Sequence, residues 1–149
     1  MKSLFDPKVF QETVKRIEAL PPSAPRQWGK MTPAQMLEHA ARVLDMACGK
    51  TPQKQILAGK LLSWTFRRNF LGEQPFGKNA PTGHNFVIQN EPAFAAVKAR
   101  LLDAMRELES KGERGCDGNV HTFFGRLSGA QWGETQYKHL DHHLRQFGA

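Results

Sequence analysis

Cysteine is almost missing from this 149-residue chain: Cys48 and Cys116 stand alone, 68 positions apart, with no CxxC pair. That argues against a disulfide framework and against a zinc site built from cysteines. Long hydrophobic runs are missing too, since no apolar stretch approaches the ~18 residues of a membrane-spanning helix. The opening MKSLFDPKVF lacks the 7–15-residue apolar run of an export signal. The expectation is a cytoplasmic chain with reduced thiols and no membrane anchor. Negative charge is the scarcer sign, with 14 Asp and Glu against 21 Lys and Arg and a net charge of +7. Such an excess admits nucleic acid, anionic lipid or an acidic small substrate. The charge is spread through the chain, however, and nucleic-acid readers gather it in stripes beside stacking aromatics, so nucleic acid is not the expected partner.

What is present is ordinary for a globular protein, with 40% hydrophobic and 23% charged residues, and the length suits one domain over residues 1–149. Five segments carry helical signals. Asp6 as N-cap with Pro7 behind it opens the first, which Pro21 and Pro22 end after Leu20. Thr32, Pro33 and Gln35 form a capping box at the head of the second, whose core stripe is Met36, Leu37, Ala40, Val43, Leu44 and Ala47, with Gly49 as terminator. A third, basic and amphipathic, is expected over residues 52–70 and packed on the bundle. Residues 72–90 read as one long loop, and a fourth helix follows over 91–111, broken at Gly112. Ser128 and Gln131 form a second capping box, opening a last helix that runs to about Phe147. No strand-like alternation exceeds residues 85–89. The expected fold is all-α, a four-helix bundle with one long connection and an additional amphipathic helix.

The six histidines are informative by position. On a step of about 100° per residue, His39 sits about 100° from its helix's core stripe, and His139 and His143 flank the core face of the last helix as an i, i+4 pair. His142 points nearly opposite, toward solvent. Three imidazoles from two facing helices suit zinc, nickel or iron(II), because neutral histidine is a borderline ligand, and three protein ligands leave positions open for water or substrate. The same spacing also occurs in histidines with ordinary hydrogen bonds, so the pattern by itself leaves both readings open. His84 and His121 read as plain loop histidines. Glu38, Glu134 and Asp141 are candidate acceptors for imidazole N–H groups, with Glu38 the weakest because it points into solvent. Trp28, Trp64, Trp132, Phe123 and Phe124 read as core or loop anchors, Arg67 and Arg68 as helix surface, and Cys48 as a small buried hydrophobe.

The block MTPAQMLEH (residues 31–39) resembles the second-helix motif of the DinB/YfiT-like superfamily. HTFFGRLSGAQWGETQYKHLDHHLRQFG (residues 121–148) is similar to its final loop and helix, above all to a branch of unassigned function ending in QYKHLDHHLRQFG. The resemblance implies that His39, His139 and His143 ligate a divalent metal inside a four-helix bundle. It implies a small-molecule substrate and metal-dependent chemistry, a transferase using a low-molecular-weight thiol, a hydrolase or an isomerase. The alternative is a non-catalytic or stress-associated bundle with an empty or vestigial site. Thr122 follows His121 where relatives often carry Pro, and the third helix is longer than the simplest relatives need. Its apolar residues exceed what one bundle buries, which allows a homodimer.

Overall fold

A computed structural model describes residues 1–80 and 82–149. Among them are five α-helices: α1 (Pro7–Ala19), α2 (Pro33–Ala47), α3 (Leu57–Leu71), α4 (Phe94–Cys116) and α5 (Gly129–Gln146). Two short strands, β1 (Val120–His121) and β2 (Gly125–Arg126), pair antiparallel with Val120 opposite Arg126. The fold is an all-α bundle. No helix among the described residues is long and apolar enough to cross a membrane.

Local chemistry sets most helix starts. Asp6 accepts from the backbone N–H groups of Lys8 and Val9, and Pro7 occupies the first helical position, where its missing N–H costs nothing. Both capping boxes close: Thr32 with Gln35, and Ser128 with Gln131, each satisfy two backbone donors that a helix start leaves free. Gly112 leaves helical geometry at φ 60° and ψ −173°, a combination open essentially to glycine, and so kinks α4 as expected. Helix α4 begins at Phe94, three residues later than the 91–111 estimate.

Helix α3 departs further from expectation. It starts at Leu57 rather than 52, because Gln55 Nε2 and the Ile56 N–H donate to the Phe123 and Thr122 carbonyls and hold that stretch extended. It packs on the bundle only through its C-terminal end, where Phe70 and Leu71 lie against the core; of its residues only Gly59 is fully buried, and Leu57, Leu61 and Trp64 are exposed.

Helix α2 lies along α4, and α5 closes the bundle against α1, α2 and α4. The core between them includes Leu37, Leu44, Leu101, Leu108, Trp132 and Leu140, all essentially inaccessible. At roughly 1.5–3 kcal/mol for each large side chain fully buried, this core and not the caps supplies most of the driving force. It also fixes α2 and α5 side by side, which positions everything below.

Candidate metal centre

Helix α2 delivers His39 and α5 delivers His139 and His143 to one point: ligand nitrogens of all three lie within 4.8 Å of one another. His39 Nε2 is 3.0 Å from His139 Nε2, and the three ring centroids are 4.6–5.0 Å apart. The positions read from the two helical wheels therefore converge. His39 and His143 are buried, whereas His139 keeps a partly exposed edge although its Nδ1 is buried.

Two of the rings have their tautomer dictated by the protein. His39 Nδ1 is 2.9 Å from the Phe86 carbonyl, which can only accept, so Nδ1 carries the proton and Nε2 presents a lone pair. His143 Nδ1 is 3.0 Å from Gln146 Oε1, and the Gln146 amide is oriented in turn by Nε2 donating to the Trp28 carbonyl at 2.8 Å. That chain places the His143 proton on Nδ1 and frees its Nε2. A Cβ at Gly29 would collide with the Gln146 amide, so the bare backbone after Trp28 makes room for this relay. His139 is not locked in the same way, for its buried Nδ1 has no partner among the described residues.

Burial is the largest cause of depressed basicity in all three rings. It lowers His39 from the ordinary 6.5, lowers His139 well below it, and takes His143 down to about 3, with neighbouring histidines contributing. The rings are thereby neutral at physiological pH, the state in which imidazole offers a lone pair. Neutral rings, two lone pairs fixed by outer acceptors and one orphaned buried nitrogen fit a borderline divalent ion.

The outer acceptors differ from the carboxylates expected. Glu38 is not solvated; it pairs with Arg42 at 2.8 Å and Arg100 at 3.4 Å on the α2–α4 seam. Asp141 pairs with Arg16 and Arg145. Neither touches an imidazole, and Glu134 has no role in the cluster. Phe86 belongs to a single 3₁₀ turn, His84–Phe86, in the long 72–90 connection, so that loop does lie against the site; Pro81 within it falls outside the described residues.

His142 is a second correction. It does not face solvent but is half-buried under the same loop, 5.6 Å from the Trp28 ring and 6.2 Å from Phe76 by centroid, with burial lowering its pKa. A cavity of about 210 Å³ opens on that side of α5 between Trp28, Phe76, Lys78, Tyr137, His142 and Arg145. None of the three clustered histidines lines it, but the His142 and His143 rings are 5.1 Å apart.

His121 is more than a plain loop histidine. Its Nδ1 accepts from the Phe123 and Phe124 N–H groups at 3.1 and 3.2 Å, closing the turn between β1 and β2, and burial takes its pKa down to about 4. His84 is exposed. Trp132 is a core anchor as expected, while Trp64 is not, being 75% exposed. Cys48 and Cys116 are both free and buried, and contact between the two thiols is the main cause raising the Cys48 pKa.

The family model described as "Protein of unknown function (DUF1569)" matches residues 5–149. The chain belongs to that family. No curated protein and no solved structure matches it. Membership in DUF1569 covers both capping boxes and all three clustered histidines, and its description assigns them no activity.

Proposed function

We propose that this DUF1569 protein is a metal-dependent enzyme of the DinB/YfiT-like kind that acts on a small molecule, with His39, His139 and His143 as the protein ligands of one zinc, nickel or iron(II) ion. The reaction classes that fit are transfer involving a low-molecular-weight thiol, hydrolysis and isomerisation. The carrying observation is the pair of outer hydrogen bonds, His39 Nδ1 to Phe86 and His143 Nδ1 to Gln146, which turn two lone pairs toward one point. Hydrogen bonds of that kind are typical of histidines that ligate metal. When bound, such an ion supplies a Lewis acid that polarises a carbonyl or acidifies a thiol or water. The chain's own part is to hold three neutral rings in register, to keep water from His39 and His143, and to offer the cavity beside His142 as the substrate's seat.

A second reading is supported by the 3.0 Å contact between His39 Nε2 and His139 Nε2. If His139 donates there, the rings satisfy each other without an ion, and the bundle is a non-catalytic binding module. Metal analysis of untagged protein purified without chelators separates the two. The enzyme reading predicts about one divalent ion per chain, lost in His39→Ala, His139→Ala and His143→Ala and kept in His142→Ala. Protein that is metal-free and stays so after incubation with zinc, nickel or iron(II) supports the second reading.

A further inference from the structure

Helix α3 is the anomaly of the molecule. On a step of about 100° per residue from buried Gly59, Leu57, Leu61, Trp64 and Arg68 all fall within about 40° of the outward direction. Their exposure follows: Trp64 is 75% exposed, Leu57 71% and Leu61 62%. Ile56, just before the helix, and Leu62, on its flank, are also exposed, while Phe66 lies on the Gly59 side with its ring 6.2 Å from that of Phe123 by centroid. A continuous apolar ridge of this kind on a folded chain marks an interaction surface.

The ridge faces outward because the contacts that fasten the helix, polar bonds along its length and Phe70 and Leu71 packed on the core at its end, all lie on other sides. At its head the Ile56 N–H donates to the Thr122 carbonyl at 2.9 Å, and Gln55 Nε2 to that of Phe123 at 2.9 Å. Gly59 lies so close to the Phe123 carbonyl that a Cβ there would collide with it. Arg67 Nη1 donates to the Phe124 carbonyl at 2.9 Å. At its tail the buried Lys138 ammonium donates to the carbonyls of Asn69 at 2.6 Å and Gly72 at 2.8 Å. Every strut leaves the Leu57, Leu61 and Trp64 side unused. Polar atoms beside the ridge are satisfied internally as well, Trp64 Nε1 by the Leu61 carbonyl at 3.1 Å and Thr65 Oγ1 by that of Leu62 at 2.6 Å. The ridge can thus enter an apolar medium without stranding a donor.

Charge selects the occupant. Between Asp45 and Glu73 the sequence holds no acidic residue, while Lys50, Lys54, Lys60, Arg67 and Arg68 fall inside that stretch. Lys54, Lys60 and Arg68 are exposed and form no ion pair among the described residues. A second copy docked about a two-fold axis would set these cations against their own images with no carboxylate on either α3 to answer them. An anionic lipid surface answers them directly, with headgroups for the cations and the acyl boundary for leucine and tryptophan. We infer that α3 is a peripheral docking element that seats the protein on anionic membranes, with Leu57, Leu61 and Trp64 in the interface and Lys54, Lys60 and Arg68 on the headgroups. This inference is independent of the metal reading.

Co-sedimentation of the full chain with phosphatidylcholine vesicles, and with vesicles of phosphatidylcholine mixed with phosphatidylglycerol, tests it. Tryptophan emission and sedimentation velocity are followed in parallel. Expected are binding to the mixed vesicles at least about tenfold tighter than to phosphatidylcholine alone, weakening with salt, and a blue shift of the emission. Leu61→Ser with Trp64→Ser should abolish binding and shift together. Lys60→Gln with Arg68→Gln should cost about tenfold or more on the mixed vesicles. All four side chains are exposed, so helical circular dichroism should match the parent. Equal binding to both vesicle types, or none, overturns the proposal. So does a concentration-dependent dimer that the Leu61 and Trp64 changes dissolve, which would give the ridge to a second copy.

Discussion

Gln146 settles which nitrogen of His143 faces the cluster, and its own orientation is settled by the Trp28 carbonyl. Gln146→Leu keeps the volume but removes the acceptor. In zinc or cobalt competition titrations it should weaken metal binding by about 10–100-fold with the fold retained. Affinity equal to the parent's would separate the relay from metal binding. His121 gives a second test, in the metal-free chain. Its pKa falls from 6.5 unfolded to about 4 folded, so the unfolded state binds more protons between those values. The stability it contributes is complete above pH 6.5 and is lost as pH falls toward 4, by about 3 kcal/mol at most. Asparagine can still accept from the Phe123 N–H, so His121→Asn should show a flatter decline of Tm from pH 6.5 to 4, and an unchanged slope would contradict this assignment. Helical period was enough to bring out His39, His139 and His143, because spacing along a helix fixes which side chains share a side. Phe86 meets the His39 ring only through tertiary packing. Gln146 lies one turn beyond His143 on α5, but the Trp28 carbonyl that aims its amide is far away in sequence, and His142 is turned from solvent because a loop folds over it, which no wheel records.

Helix boundaries divide along the same line. Starts set by neighbours in sequence were legible to the residue, as at Asp6, Thr32 and Ser128, where the cap lies within three positions of the donors it serves. The start of α3 was not, because its extended lead-in is held by the Thr122 and Phe123 carbonyls, more than sixty residues away. Gly112 was read correctly as a break, and its backbone carries a prediction. Alanine at φ 60° and ψ −173° is strained whatever space surrounds it, and no atom lies near the position of its Cβ. Gly112→Ala should therefore cost about 1–3 kcal/mol in denaturant unfolding with no change in metal affinity. A neutral effect would mean that α4 straightens without penalty.

At the scale of the molecule, the core formed by α1, α2, α4 and α5 supports the cluster, and α3 is attached to it by hydrogen bonds and by Phe70 and Leu71 at its end. The expectation that a basic amphipathic third helix packs on the bundle holds for Phe70 and Leu71 at its end and not for Leu57, Leu61 and Trp64. Amphipathicity reports that a face seeks apolar surroundings, not whether the chain itself provides them. The histidine cluster, by contrast, sits where α2 and α5 are clamped by the core, so its rings need little reorganisation to meet an ion. The most direct measurement is an anomalous difference map at the metal edge, from crystals of untagged protein grown with stoichiometric zinc. The account predicts a single strong peak at about 2.0–2.2 Å from one ring nitrogen each of His39, His139 and His143. A map with no peak between α2 and α5, or with zinc held elsewhere while His39 and His139 remain bonded to each other, would contradict it.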